Sequence, residues 1–287
     1  MADRRGLGQH PGRPDRRRRP GLEVHGPAPP SIQAGSARVN LELDGKVAIV
    51  TGASRGLGAA AVRSLVAEGV NVVAAARSGD ELDKLAAEAP GRIAGVVCDM
   101  RDAAGLAALP ERALREFGRL DILVNNAGIA PAGKFLDATA ELLEDVFAVN
   151  VVAPALLARA CGEIFVGQGS GKVVNVASIS GVRGKGSLAV YSASKGALVR
   201  LTEALAAEWS RHGVQVNAIA PGAFATEAQR AVLGDPETLR RRVAKIPARR
   251  VADPAEIGAL VCYLASPLSG FVSGATYVID GGETAKI

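Results

Sequence analysis

Lys46-Val-Ala-Ile-Val-Thr51 runs directly into Gly52-Ala53-Ser54-Arg55-Gly56-Leu57-Gly58, after which Ala and Val recur at helical spacing as far as Glu68 and Gly69 follows. The opening six residues form a short apolar run of the kind buried in a parallel strand, and the residues after Gly58 read as a helix over Gly58–Glu68 ended by a glycine. The glycines between them permit a tight turn, close approach of backbone to a pyrophosphate, and close packing of the helix on its strand. The helix N-terminus then offers unpaired N–H groups and the positive end of its dipole. In that order, strand, glycine loop and helix read as the opening unit of a dinucleotide-binding sheet.

Outward from this stretch the pattern repeats. Strands are predicted at Asn71–Ala75, Arg92–Cys98, Ile122–Val124, Val173–Val176, Val214–Ile219 and Tyr277–Ile279. Helices are predicted across Asp80–Ala89, Ala103–Phe117, Ala140–Val166 and Ala189–Arg211. Alternation at this spacing gives right-handed βαβ units. The expected fold is therefore α/β, a single Rossmann-type doubly wound parallel sheet of about seven strands with helices on both faces. Gly222 to about Val251 is less regular and leaves a carboxyl end of the sheet, which makes it a candidate substrate lid; Arg240–Arg242 and Arg249–Arg250 lie in it. A solvated basic helix face accounts for those arginines equally well.

Charge divides the chain in two. Residues 1–40 hold eight Arg against Asp3, Asp15 and Glu23, which accounts for the formal net charge of +5 and leaves 26 basic and 26 acidic residues in 41–287. This Arg- and Pro-rich extension lacks apolar periodicity and is expected to be disordered, with the folded domain spanning 41–287. A basic tail can attract nucleic acid or an anionic membrane. The neutrality of the remainder, in a chain only 3% aromatic, argues against a nucleic-acid partner. Cys98, Cys161 and Cys262 stand apart without a CxxC pair, so no metal site and a reducing compartment are expected. The N-terminus has no apolar stretch of the secretory kind, and Val146–Gly167 is interrupted by Asn150, Arg159 and Glu163. The reading is a cytoplasmic protein without a membrane partner.

Two sets of residues carry chemistry. The second strand ends Ala75-Ala76-Arg77, without the carboxylate that usually holds an NAD ribose. Arg77, with Arg55 in the glycine loop, could clamp a 2′-phosphate, so NADP(H) is expected over NAD(H). Farther on, Tyr191 and Lys195 lie four residues apart on one helix face, where an ammonium would lower the phenol's pKa. Ser178 sits just past the fifth strand, placed to donate a hydrogen bond to a carbonyl as charge builds on its oxygen.

With these in place, the sequence resembles the short-chain dehydrogenase/reductase family over essentially all of 41–287. The matching features, in the family's order, are the Thr51–Gly58 loop, Asp99, Asn125-Asn126-Ala127-Gly128, Asn150, Ser178, Tyr191, Lys195, Pro221-Gly222 and Thr226. The resemblance implies hydride transfer between a nicotinamide and a carbonyl or secondary alcohol, with Tyr191 as general acid/base and Ser178 polarising the carbonyl. It implies that Lys195 holds the nicotinamide ribose and lowers the Tyr191 pKa, and that Asn150 anchors a water in a proton relay. Gly52, Ser54, Arg55, Gly56, Leu57 and Gly58 would cradle the cofactor with Arg77. Asp99 would cap its adenine, Asn125, Ala127 and Gly128 would line the adenosine side, and Pro221, Gly222 and Thr226 would meet the nicotinamide. Asp99 could equally be a helix N-cap. A homo-oligomer, tetramer or dimer, paired through the helices bearing Asn150 and Tyr191, is implied too.

Pro221–Glu227 and Asp235-Pro236-Glu237 resemble gluconate 5-dehydrogenase-like members, whereas the general body resembles 3-oxoacyl-carrier-protein reductases. The first suggests a sugar acid or polyol substrate and the second an acyl thioester. The competing functional reading is a catalytically silent, cofactor-sensing regulator on the same fold.

Overall fold

The computed structural model describes residues 39–229 and 233–286. The expected disorder of the N-terminal extension falls on residues that, apart from 39 and 40, lie outside those described.

Every side chain of β1 (Val47–Thr51) is buried, and successive residues serve opposite layers: Ala48 and Val50 join one core cluster, Val47 and Ile49 another. A strand without a wet face has to be covered on both sides, which fits its run of apolar and β-branched residues. The other strands are β2 (Asn71–Ala76), β3 (Ile93–Val97), β4 (Ile122–Asn125), β5 (Gly171–Val176), β6 (Val214–Pro221) and β7 (Thr276–Ile279). All seven pair in parallel in the order β3-β2-β1-β4-β5-β6-β7, with Val47 opposite Asn71 and Ala48 opposite Ile122. The chain reverses direction across the sheet between β1 and β4, and in such sheets a crevice for ligands opens beyond the carboxyl ends at that point.

The helices, in chain order, are α1 (Gly56–Ala67), α2 (Gly79–Ala87), α3 (Ala103–Phe117), α4 (Ala140–Phe147), α5 (Ala153–Gln168), α6 (Ile179–Val182), α7 (Ala189–Trp209), α8 (Pro236–Val243) and α9 (Glu256–Ala265). Residues of α1, α2 and α9 pack with one core cluster, whereas α3, α5 and the end of α7 supply the other. Past α1, Gly69 takes φ +84, its N–H donates to the Val66 carbonyl at 3.0 Å and Val70 donates to Leu65 at 3.0 Å. That paired closure needs a residue free to adopt the left-handed region.

Three differences from the sequence reading have physical causes. The long helix expected over Ala140–Val166 is α4 and α5 joined by a π-helical turn, Ala148–Val152. Pro154 has no N–H for the Asn150 carbonyl, and its ring would collide with that carbonyl in an unbroken α-helix. The irregular Gly222–Val251 segment contains α8, started by Asp235, whose Oδ2 accepts from Thr238 N–H at 2.9 Å. The helix α9 was not anticipated, although Asp253-Pro254-Ala255-Glu256 before an apolar run is a start signal. The helical run Ala140–Gln168 is long and apolar enough to cross a membrane, with mean hydropathy 1.5 over its most apolar window. Its Leu157, Cys161 and Phe165 nevertheless belong to the core against the sheet.

Candidate active site

At the carboxyl ends of β1 and β4, side chains and backbone stitch two loops together. Thr51 Oγ1 accepts from the N–H groups of Asn126 (3.0 Å) and Ala127 (3.1 Å), while Asn126 Nδ2 donates to the carbonyls of Thr51 (2.9 Å) and Gly52 (3.2 Å). Gly52 takes φ +62, and a Cβ there would stand 2.9 Å from Ala127 Cα. A Cβ on Gly58 would fall 2.2 Å from the Gly52 carbonyl oxygen. The first turn of α1 therefore sits directly on the loop, and its N-cap residue, Arg55, makes no side-chain cap bond. The free N–H groups of that turn make a cradle for an anionic pyrophosphate.

These residues border a cleft of about 960 Å³, large enough for a dinucleotide with a small substrate. Gly52, Ser54, Arg55, Gly56 and Leu57 line it at the α1 N-terminus, and Arg77 and Asp99 also border it. Ala127 and Gly128 form one wall, Pro221, Gly222 and Thr226 the other, with Ser178, Tyr191 and Lys195 between. Thr226 reaches across: its Cγ2 is 3.3 Å from where a Cβ on Gly56 would stand.

Three of the residues expected here are not cleft-lining. Gly58 lies behind the loop, where it permits the packing just described. Asn125 is a correction: it is 2% exposed and turned into the core, its Nδ2 donating to Asn175 Oδ1 (2.9 Å) and the Pro154 carbonyl (3.3 Å). Successive residues of a strand end point to opposite faces, so Asn126 takes the cleft side instead. Asn150 is fully buried on the π turn, its Oδ1 accepting from Ile129 N–H (2.9 Å) and its Nδ2 donating to Ile129 O (2.9 Å) and Ser194 Oγ (3.0 Å). Both amide groups are engaged, and Pro154 brings no N–H to the Asn150 backbone carbonyl.

Asp99 is not a helix N-cap. That position belongs to Asp102, which accepts from Ala104 N–H at 3.0 Å. Asp99 instead accepts from Arg101, through the backbone N–H at 2.9 Å and Nη1 at 3.1 Å, while Arg101 Nε donates to Asp145. The backbone bond from Arg101, and secondarily its guanidinium and Arg77, hold the Asp99 carboxyl below its usual range. Arg55 and Arg77 make no ion pair among the described residues, so both guanidiniums are available to a ligand. Arg101 and Asp145 are not found by sequence reasoning, because their bond links residues 44 apart and leaves no local signature.

The reacting end is compact. Ser178 is the N-cap of α6, and its Oγ accepts from Ser180 N–H at 3.1 Å. That bond leaves the hydroxyl proton free to point forward, and the hydroxyl lies close enough to the Tyr191 phenol to favour its ionisation. Lys195 is 3% exposed, with Nζ donating to the Val176 carbonyl at 2.7 Å. It sits beside Gly128, whose Cβ position is 3.3 Å from Nζ. Burial lowers the Lys195 ammonium to about 8. The Tyr191 phenol moves opposite to the expectation: burial raises it above its ordinary value, and Ser178 only partly offsets this. The low-dielectric surroundings penalise a phenolate more than the Ser178 hydroxyl favours it.

The basic run of the Gly222–Val251 segment is mostly tied into the fold. Arg242 pairs with Glu283, Arg250 with Glu256, and Arg249 Nη1 donates to the Ala244 carbonyl at 3.1 Å. Lys185, Glu227, Gln229 and Arg242 border the cleft alongside apolar Leu188 and Phe224.

A family profile described as Enoyl-(Acyl carrier protein) reductase matches residues 52–284. Oxidoreductase UcpA of Salmonella typhimurium is 39% identical over 254 residues, covering 85% of this chain and 96% of that protein. A galactitol 2-dehydrogenase (L-tagatose-forming) of Cereibacter sphaeroides is 38% identical over 250 residues, covering 86% of this chain and 98% of its own length. Among solved structures, a Beutenbergia cavernae protein provisionally assigned as an NAD(P)-dependent gluconate 5-dehydrogenase, with NADP bound at low occupancy, superposes with a TM-score of 0.80. It is 36% identical, over 86% of this chain and all of its own.

Proposed function

The chain belongs to the short-chain dehydrogenase/reductase family, and from that premise we propose an NADP(H)-preferring enzyme in which Tyr191 is the general acid/base. Oxidoreductase action between a CH–OH group and a carbonyl, with NAD(P)(H), follows from the family. The observation that carries the finer reading is that Ser178, Tyr191 and Lys195 line one cleft, with Lys195 buried and bonded to the Val176 carbonyl at the carboxyl end of β5. The α1 N-terminus and Thr51–Gly58 cradle would hold the pyrophosphate, Arg55 and Arg77 a 2′-phosphate, and Lys195 the nicotinamide ribose. When bound, the nicotinamide supplies or accepts the hydride. In reduction, the Ser178 hydroxyl donates to the substrate carbonyl oxygen and the Tyr191 phenol gives that oxygen its proton. A raised phenol pKa keeps this acid loaded at neutral pH. Lys195 returns a proton to Tyr191, and a water on the Asn150 carbonyl resupplies Lys195.

Lys185, Glu227 and Gln229 in the cleft lining favour a polyol or sugar acid over a long acyl chain, because each offers hydrogen bonds that a hydrocarbon would leave unpaired. Val152 and Leu156 on the α4–α5 run are 50% and 38% exposed, which supports pairing of two copies through that face.

Parallel titration of NADPH and NADH, followed by turnover on ketoses, keto-aldonates and oxoacyl thioesters, tests the reading. NADPH is expected to bind at least about tenfold tighter, with the margin lost in Arg77→Ala. Tyr191→Phe is expected to lower kcat by roughly 10²–10⁴ at unchanged cofactor affinity. Equal NADH binding would overturn the two-arginine argument. Cofactor binding without turnover on any compound would leave the silent sensor.

A further inference from the structure

The last described residues return to the mouth of the cleft. Asp280-Gly281-Gly282-Glu283-Thr284 follows β7 directly. Asp280 accepts from the N–H groups of Gly282 (2.8 Å) and Thr284 (2.7 Å), which closes the segment into a turn. Gly281 takes φ +62, and a Cβ there would stand 2.9 Å from Ala248 Cβ and Ile246 Cγ2, so only glycine fits. Two backbone bonds join the end of β7 and the turn to the two ends of the Gly222–Arg250 wall. Gly222 N–H donates to the Ile279 carbonyl at 2.9 Å, and Ala248 N–H donates to the Gly281 carbonyl at 3.0 Å.

Glu283 then takes Arg242 of α8 in a bidentate pair, at 2.7 and 2.6 Å. Both side chains are 17% exposed, unlike the neighbouring Arg241–Glu237 pair at 69% and 66%. A planar, largely shielded pair of this kind holds geometry that a solvated pair does not. The helix α8 has little else to hold it, since Val243 is its one buried residue. Its Arg242 borders the cleft.

We propose that Glu283 is a positioning residue: through Arg242 it straps α8 across the substrate end of the cleft and sets affinity for substrate rather than the rate of the chemical step. The effect on substrate rests on the proposed hydride-transfer reading, whereas the strapping of α8 does not.

Arg240, Arg241, Arg242 and Lys245 are tryptic sites in or beside α8, so limited proteolysis reports its docking. In Glu283→Gln, cleavage within 240–245 is expected to accelerate about tenfold, with Tm changed by less than about 2 °C and NADPH affinity unchanged. With 5-keto-D-gluconate as the probe ketone, KM is expected to rise about tenfold while kcat stays within about twofold. Glu283→Asp, which keeps the charge on a shorter stem, should fall between. The exchanged pair Arg242→Glu with Glu283→Arg should slow cleavage at the retained sites Arg240, Arg241 and Lys245 back towards the parent rate. Parent-like cleavage in Glu283→Gln, acceleration spread evenly over the chain, or a fall in kcat at constant KM would each overturn the proposal. Should no ketone turn over, the proposed function fails, and proteolysis still decides whether the strap exists.

Discussion

Where the Thr51–Gly58 wall of the cleft meets Asn126 and Ala127, the contact consists of four hydrogen bonds to backbone groups and two glycines with no room for a Cβ. Where the opposite wall, Gly222–Arg250, meets the rest of the fold, the contacts include ion pairs of Arg242 with Glu283 and Arg250 with Glu256. The first wall is fixed by steric exclusion and short-range bonding, so it can present N–H groups to a pyrophosphate in a single geometry. The second hangs on long side chains, whose pairing is softer and easier to redistribute by substitution. Rigidity on the cofactor side and adjustability on the substrate side suit a scaffold whose cofactor is constant while its substrates differ.

The sharpest way to break the comparison is Gly58→Ala. Its methyl would meet the Gly52 carbonyl oxygen at 2.2 Å and Asn126 Nδ2 at 2.5 Å, both held by the bonds above. Neither can retreat as a flexible side-chain end would, so a loss of about 4 kcal/mol in stability is expected, beyond the usual range for overpacking. NADPH affinity should fall at least roughly a hundredfold as the α1 N-terminus is pushed off the loop. Gly184→Ala serves as control, having no heavy atom within 4 Å of its Cβ position. Urea denaturation and NADPH titration check both. A loss below about 1 kcal/mol in Gly58→Ala would mean that the first wall yields as readily as the second.

The same contrast explains what could be read in advance. The first wall is specified within a dozen consecutive residues, where strand, glycines and helix start follow one another, so fold and phosphate end were legible. Tyr191 and Lys195, one helical turn apart, and Ser178 at a strand end were legible for the same reason. Arg242 with Glu283 and Arg101 with Asp145 pair over 41 and 44 positions, and no local pattern announces them. Asn125 was assigned to the cleft because its tetrapeptide was read as a unit, although alternation at a strand end sends Asn125 and Asn126 opposite ways. The Tyr191 shift was misjudged because spacing gives the distance to Lys195 and not the depth of burial.

Lys195 offers a second test, because it is a charge drawn into the rigid half and bonded to the Val176 carbonyl. Burial lowers it from 10.5 to about 8, so between those values the unfolded chain binds the proton that the folded chain has released. Stability from this group therefore rises with pH through that window, and its penalty is fully present below about 8. Lys195→Met removes the titration. Relative to Lys195→Met, the parent protein should gain about 3 kcal/mol between pH 7.5 and 10.5. Lys172 and the buried cysteines also titrate there, but they are common to both proteins and cancel in the difference. A stability difference that stays flat with pH would show that Lys195 is solvated in solution.

The smallest expected effect separates the two ends of α8. Asp235 caps its N-terminus through Thr238 N–H at 2.9 Å but stands in solvent, whereas Arg242 anchors its C-terminal turn from a shielded position. If α8 is held mainly by its C-terminal anchor, Asp235→Ala should fray the first turn alone. Tryptic cleavage within 240–245 should then quicken by roughly two- to threefold, against about tenfold in Glu283→Gln. The two variants combined should multiply, because cap and anchor share no partner. Cleavage in Asp235→Ala as fast as in Glu283→Gln would make the cap an equal partner, and adjustability of the second wall would then belong to the whole helix instead of one ion pair.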